Sequence, residues 1–337
     1  MTYKILWAPL YWPDDKHIEL ESVGEQCEAV LADSLEQITD EQWSSCDALV
    51  SLGDVPEPYR SKAKNCRIFV TPKVGFDNID THYWAERGVP VCNVPDYGTA
   101  EVADHAIALY LSLIRGITFH TRELKKSLSD NWQPLRYRMS HRLTGSVFGI
   151  VGIGRIGTAT ALRAKAFGMD VCFYDPLVEN GIDKSLGIRR VESLESLFAQ
   201  CDGVSLHVPL NNTTEKLIDA KILGHSKSSL VLVNTARGPV VDLDALHDAL
   251  KTNTIMAAAL DVLPEEDPID SQHPLMTAWA NDEPWIDHRL LLTPHSAFYS
   301  TESLIDMRHT GGALATAYLR DGTLQNCVNA QHLASNG

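Results

Sequence analysis

No stretch of this chain approaches the ~20 consecutive apolar residues that a helix needs to cross a bilayer. A helical membrane span is therefore not expected. Cysteine is sparse. There are seven, an odd number, scattered singly and without a C-x-x-C pair. Such usage argues against a disulfide framework or a zinc cluster and fits reduced core thiols in a cytoplasmic protein, with no metal site. Positive charge is in deficit: 29 Lys and Arg stand against 44 Asp and Glu, for a net charge of -15. That balance argues against a general nucleic-acid or anionic-membrane surface, yet allows a local basic pocket for a small anion. Fixed-period repeats and low-complexity segments are missing too. Met1 to Leu10 lacks the pattern of a signal peptide and reads as a first strand over Tyr3–Trp7.

What is present begins with Gly152-Ile153-Gly154-Arg155-Ile156-Gly157. The apolar run Val147–Val151 before it reads as a buried parallel strand, and Thr158–Phe167 after it as a helix. A second apolar run, Val171–Tyr174, ends in Asp175, about 18 residues past the last glycine. A lone G-x-G-x-x-G is weak evidence. Strand, glycines, helix, strand and acid in register mark a dinucleotide site. The helix N-terminus offers N–H groups and partial positive charge to a pyrophosphate. Asp175 accepts from both ribose hydroxyls and repels a 2′-phosphate, so NAD is expected over NADP.

A length of 337 residues suggests two domains, and 44% apolar residues supply sizeable cores. Strand patterns fall at Ile5–Trp7, Ala48–Leu52, Ile68–Val70 and Val89–Cys92, then at Gly203–Val208, Leu230–Asn234, Ala257–Val262 and Leu290–Thr293. Helical patterns alternate with them, including Ser193–Ala199, Leu243–Leu250 and Thr301–Leu319. The fold class is α/β, with doubly wound parallel sheets. A long apolar helix is expected from about Ala100 to Lys125 with Thr99 as its N-cap, serving either the core or a subunit interface. Lys125–Leu143, polar and aromatic, reads as a loop arm.

In an open α/β sheet, ligands bind outside the carboxyl ends of the strands. Three late strands run into Arg237, into Glu265-Glu266-Asp267 and into His295. A cation, a carboxylate and an imidazole at one edge form a hydride-transfer set. His295 suits acid/base work near neutral pH, a carboxylate near position 266 would hold its ring, and Arg237 offers a donor fork to a carboxylate and a reacting oxygen.

These segments together resemble the D-isomer-specific 2-hydroxyacid dehydrogenase family over essentially the full chain. Val74–Asp80, Asn93-Val94-Pro95 through Ala103-Asp104, the Gly152–Gly157 loop, Asn234–Gly238, Asp261-Val262 and Pro294-His295 carry the likeness. The resemblance implies Arg237, Glu266 and His295 as catalytic residues and Val74, Gly75, Arg237 and Phe298 around the substrate. Lys73, immediately before the Val74-Gly75 loop, either adds an ammonium for an anionic substrate or is a solvated loop lysine. The resemblance also implies Gly154, Arg155, Ile156, Asp175, Thr235, Ala236, Asp261 and His295 at the cofactor. There Asp261 meets the nicotinamide carboxamide, and His207, Val208, Pro209 and Thr214 lie near the adenosine half. It further implies Rossmann-like and flavodoxin-like domains with an active-site cleft between them. Residues 1–98, completed by 299–337, would be the substrate domain, and 99–298 the NAD domain. A homodimer would form through the helix starting near Ala100.

Within the family, Leu162–Gly168, Phe173–Pro176, His295–Ser300 and Asn326–Asn329 are similar to C-terminal binding proteins and their bacterial relatives. Phe298 stands where the eukaryotic relatives have tryptophan, and Asp267 intervenes between Glu266 and Pro268. Two functions remain open on this reading. One is NAD-dependent interconversion of a 2-oxo acid and a D-2-hydroxy acid. The other is an NAD(H)-sensing dimer that recruits partners. A short C-terminus leans away from the second and from the large phosphoglycerate enzymes.

Overall fold

The computed structural model describes residues 2–10, 16–133, 137–266 and 268–333. The chain divides into two compact units, Met1–Gly98 with Tyr299–Gly337, and Thr99–Phe298.

The first unit holds a five-stranded sheet: β1 (Tyr3–Trp7), β2 (Cys27–Leu31), β3 (Ala48–Val50), β4 (Ile68–Thr71) and β5 (Val91–Asn93). Its order is β2-β1-β3-β4-β5, all parallel, the flavodoxin-like winding. Central strands are buried throughout and read as apolar runs, as covered parallel strands do. β2 escapes the sequence pattern because it is a half-exposed edge with Glu28 inside it. The expected strand at Val89 starts two residues later, since Pro90 has no N–H for the ladder. Helix Thr301–Asp321 lays Leu314, Ala315 and Leu319 on Ile5, Val50, Ile68 and Val70. Arg308 on that helix forms a buried bidentate pair with Glu19, both N···O distances being 2.6 Å.

The second unit adds β6 (Val147–Val151), β7 (Asp170–Tyr174), β8 (Arg189–Arg190), β9 (Gly203–Leu206), β10 (Val231–Asn234), β11 (Ala257–Leu260) and β12 (Leu290–Leu292). All are parallel, in the order β12-β11-β10-β9-β6-β7-β8. The order reverses between β6 and β9, which makes a topological switch point beside the glycine loop. β8 and helix Pro274–Ala280 were not legible in the sequence; β8 has only two residues, both arginine.

Two expectations about the long helix are corrected. The pattern from Ala100 to Lys125 is two helices, Thr99–Arg115 and Ile117–Lys126, bent by 52°. Gly116 breaks them by adopting φ 62°, a left-handed conformation that ends an α-helix. Thr99 does not cap: it is the first helical residue, and its buried hydroxyl has no partner among the described residues. The apolar face of Thr99–Arg115 is used within its own unit, where Ala106, Tyr110, Leu113 and Ile114 meet Phe148, Ile150 and Val233. The supposed loop arm contains a short helix, Leu128–Asn131, while residues 134–136 of it lie outside the described residues. Among the described residues no single helix is long and apolar enough to cross a membrane.

Candidate active site

Strand register brings the candidate residues of the second unit to one sheet edge. Val151 pairs with Tyr174 and Leu206, and Asn234 pairs with Leu206 and Leu260, which in turn pairs with Leu292. The residues that follow, Gly152, Asp175, His207, Thr235, Asp261 and Thr293, therefore stand side by side at the carboxyl ends.

The glycine loop is built for close approach. A Cβ at Gly157 would lie 2.0 Å from the Gly152 carbonyl oxygen, so only glycine lets helix Arg155–Ala166 start there. A Cβ at Gly154 would meet nothing within 4 Å, and that open space is where a phosphate would lie. Asp175 aims the loop: one carboxylate oxygen accepts from the Ile153 N–H at 2.9 Å and the other from the Leu177 N–H at 2.9 Å. Each oxygen keeps a further acceptor direction for a ribose hydroxyl. Burial pushes the His207 imidazole down to about 3, so it is neutral at pH 7, 2.9 Å from the Ser205 hydroxyl. Thr214 is committed to its own turn, donating to the Pro209 carbonyl at 2.6 Å, and Val208, half-buried, lies against Gly152 of the glycine loop. The Thr235 hydroxyl is buried and has no hydrogen-bond partner among the described residues. A buried hydroxyl left unpaired is costly, and a ligand would relieve it. The open glycine loop, the ribose acceptor and this orphaned hydroxyl together fit a dinucleotide.

The expected contact between histidine and glutamate is formed. His295 Nδ1 lies 2.7 Å from Glu266 Oε2, and Glu266 Oε1 accepts from the Leu263 N–H at 3.1 Å. Burial raises the Glu266 carboxyl, but the hydrogen bond and charge of His295, the Leu263 N–H and the nearby Arg237 outweigh it, leaving it below the usual range. Glu265 is exposed and has no hydrogen-bond or ion-pair partner among the described residues, so Glu266 is the carboxylate that meets the ring. Asp267 lies outside the described residues. The Phe298 and His295 rings lie nearly perpendicular, with centroids 6.2 Å apart.

Arg237 is placed by the chain around it. The Asn234 side chain ties the turn, donating to the Arg237 carbonyl at 2.9 Å and accepting from the Ala236 N–H at 3.0 Å. A Cβ at Gly238 would fall 1.9 Å from the Leu263 carbonyl carbon, so the arginine turn packs directly on the glutamate loop.

Asp261 has a role the sequence does not reveal. Its carboxylate, 1% exposed, accepts from the Thr293 hydroxyl at 2.6 Å and from the N–H groups of Ser296 and Ala297 at 2.9 and 3.0 Å. Three of its ~four acceptor directions are thus used inside the protein, leaving about one for a carboxamide. Those bonds hold His295 in a left-handed conformation, φ 48°, that non-glycine residues avoid. His105 Nε2, 3.0 Å from the Thr293 hydroxyl, completes the cluster. Asn234, Thr293 and His105 were missed as functional residues. Their partners come from distant strands and helices, and no spacing rule signals them.

In the first unit, Lys73, Val74 and Gly75 follow β4. The Asn93 amide donates to the Val74 carbonyl at 2.7 Å, and the Val94 N–H donates to the Lys73 carbonyl at 3.2 Å. The N–H groups of Val74 and Gly75 have no partner among the described residues. Lys73 Nζ donates to Asn78 Oδ1 at 2.8 Å, so the ammonium is tied to its own loop.

A Rossmann unit carrying a glycine loop, a ribose acceptor and a histidine–glutamate dyad defines a nicotinamide-dependent oxidoreductase. Residues 107–297 match the D-isomer specific 2-hydroxyacid dehydrogenase, NAD binding domain, family. The chain is 35% identical to a glyoxylate reductase of Korarchaeum cryptofilum, over 94% of this chain and 91% of that protein. It is 36% identical to a D-3-phosphoglycerate dehydrogenase of Methanocaldococcus jannaschii, over 77% of this chain but only 48% of the relative. The crystal structure of an NADPH-dependent glyoxylate/hydroxypyruvate reductase from Sinorhizobium meliloti, in complex with NADP and malonate, superposes with a TM-score of 0.82. That likeness covers 97% of each chain at 27% identity. The chain belongs to the D-isomer specific 2-hydroxyacid dehydrogenase family. It is an NAD-dependent oxidoreductase that interconverts 2-oxo acids and D-2-hydroxy acids.

Proposed function

We propose that His295 is the acid/base of this reaction, with Glu266 holding its ring and Arg237 binding the substrate carboxylate and carbonyl. The 2.7 Å contact between His295 Nδ1 and Glu266 Oε2 carries the assignment. It commits Nδ1 to the carboxylate and leaves Nε2 to give a proton to, or take one from, the reacting oxygen. Bound nicotinamide supplies or accepts the hydride. Arg237 presents fixed donors to the oxygen on which charge develops. The N–H groups of Val74 and Gly75, unpartnered among the described residues, bind the carboxylate, and Lys73 adds positive charge beside them.

Small, polar 2-oxo acids of the glyoxylate and hydroxypyruvate class are the substrates we favour. Lys73 supports that choice, as do the activities named for two relatives. NAD is preferred over NADP because Asp175 repels a 2′-phosphate, although one relative is NADPH-dependent. We further read the protein as a cytoplasmic homodimer. With much of the Thr99–Arg115 face buried in its own unit, Ile117, Leu128 and Trp132, which follow it in the chain, are among the exposed apolar groups available for contact.

The test is NADH oxidation against a panel of 2-oxo acids, with His295→Ala as control. Turnover with small polar oxo acids, reduced by ~10²-fold or more in the variant while NADH still binds, is the expected result. A His295→Ala enzyme with wild-type turnover would remove that residue from the mechanism. A folded, NADH-binding protein that turns over nothing would favour the sensing role instead.

A further inference from the structure

Six of the seven cysteines come together in three neighbouring pairs. Cys172 and Cys201 have sulfurs 3.6 Å apart, Cys66 sits beside Cys46, and Cys92 faces Cys327. All are free thiols. Their sequence positions give no hint of this, because each partner lies on a different element.

We propose that Cys92 and Cys327 form a thiol–disulfide site, oxidised by low-molecular-weight disulfides such as glutathione disulfide. The geometry is that of an antiparallel bridge. The Asn93 N–H donates to the Asn326 carbonyl at 3.2 Å, and the Val328 N–H donates to the Val91 carbonyl at 2.8 Å. Those two bonds flank the cysteines, which makes them a non-hydrogen-bonded pair with Cα atoms ~4.5 Å apart and side chains on one face. A disulfide accepts Cα separations from ~4.4 Å upward, so the backbone need move little. Asn329, wholly buried, pins the register: its side chain accepts from the Val91 N–H at 2.8 Å and donates to the Val89 carbonyl at 3.1 Å.

Access singles out this pair. Cys46, Cys66, Cys172 and Cys201 are all buried, whereas Cys327 is the one cysteine with partial exposure. Cys327 is therefore the thiol that meets the oxidant. Its thiolate attacks one sulfur of the small disulfide, that S–S bond breaks, and one glutathione thiolate leaves. The Cys92 thiolate then attacks the Cys327 sulfur and expels the second glutathione. The protein loses two hydrogens, and one disulfide is reduced to two thiols. Burial pushes the Cys92 thiol up to about 12, with Cys327 adding to the effect, so the second step is the slow one. The bond would join the first stretch of chain in this unit to the returning C-terminal stretch, one residue from Asn93, whose amide holds the Val74 loop.

The experiment incubates the full chain with glutathione disulfide at mildly alkaline pH and reads intact mass and peptide maps without reduction. Wild type should lose the mass of two hydrogens and yield a Cys92–Cys327 crosslinked peptide. Cys92→Ala should instead accumulate a glutathione adduct on Cys327, because the resolving thiol is gone, and Cys327→Ser should give neither product. Should Cys92→Ala fail to fold, Tm decides: oxidised wild type should melt about 5 °C or more above reduced wild type, with no such rise in Cys327→Ser. A stable adduct on wild-type Cys327, a crosslink between other cysteines, or an unmodified protein would overturn the proposal.

Discussion

Replacing Glu266 by Gln removes a charge while keeping a shape. The glutamine carbonyl can still accept from the Leu263 N–H, so the loop should stay in place. What goes is the charge-assisted bond to His295. Such bonds contribute ~1.5–3 kcal/mol when shielded. Both side chains are about 40% exposed, at 43% and 39%, so solvent screening reduces the figure to about 1 kcal/mol. At 1.36 kcal/mol per factor of ten, that is a loss of roughly 5-fold in kcat/KM for oxo-acid reduction. The sign follows from the chemistry. The bond being weakened is the one that holds the proton-transferring ring, so the variant should lose activity and not gain it. The carboxyl itself lies below its usual range in the folded protein. Its contribution to stability is therefore present above its ordinary value and lost as pH falls through the lowered one. The assay is kcat/KM for NADH oxidation at neutral pH, with Glu265→Gln beside it as the control that meets no partner among the described residues. An unchanged kcat/KM would show that the charge of Glu266 does not serve the reaction. An equal loss in Glu265→Gln would refute the assignment outright.

Asp175→Asn should cut the NAD-to-NADP preference by ~10-fold or more, since it removes the like charge that opposes a 2′-phosphate; an unchanged ratio of kcat/KM values would contradict this. Asp175→Ala should also raise KM for both cofactors, because it frees the Ile153 N–H that aims the glycine loop. Lys73→Ala should raise KM for small polar oxo acids more than it lowers kcat, the pattern of lost uniform binding, and long aliphatic oxo acids outperforming them would count against the reading. Arg308→Met should destabilise the first unit by about 3–5 kcal/mol, because Glu19 keeps its buried charge and loses its bidentate partner; urea unfolding showing a loss under about 1 kcal/mol would be the contrary result.

The sequence by itself determined the parts whose signals are local. An apolar run, three glycines, an amphipathic helix and Asp175 lie within about 30 contiguous residues, and steric rules for a tight turn leave them one reading. Parallel strands buried on both faces announced themselves as apolar runs, and so the α/β class was legible. Whatever depended on distant partners was not. The residues alone left the acid near position 266 and the family resemblance pointed to Glu266; only the tertiary structure showed the reason, a contact with a histidine 29 residues away. It showed Asp261 bracing the His295 turn, Arg308 paired with Glu19 across 289 residues, and scattered cysteines drawn into pairs. It also broke the helix at Gly116, whose left-handed φ periodicity does not register. Patterning reports which face a residue turns to the core. Which atoms it meets there is settled by the packing of elements far apart in the chain, and that packing is what the one-dimensional pattern omits.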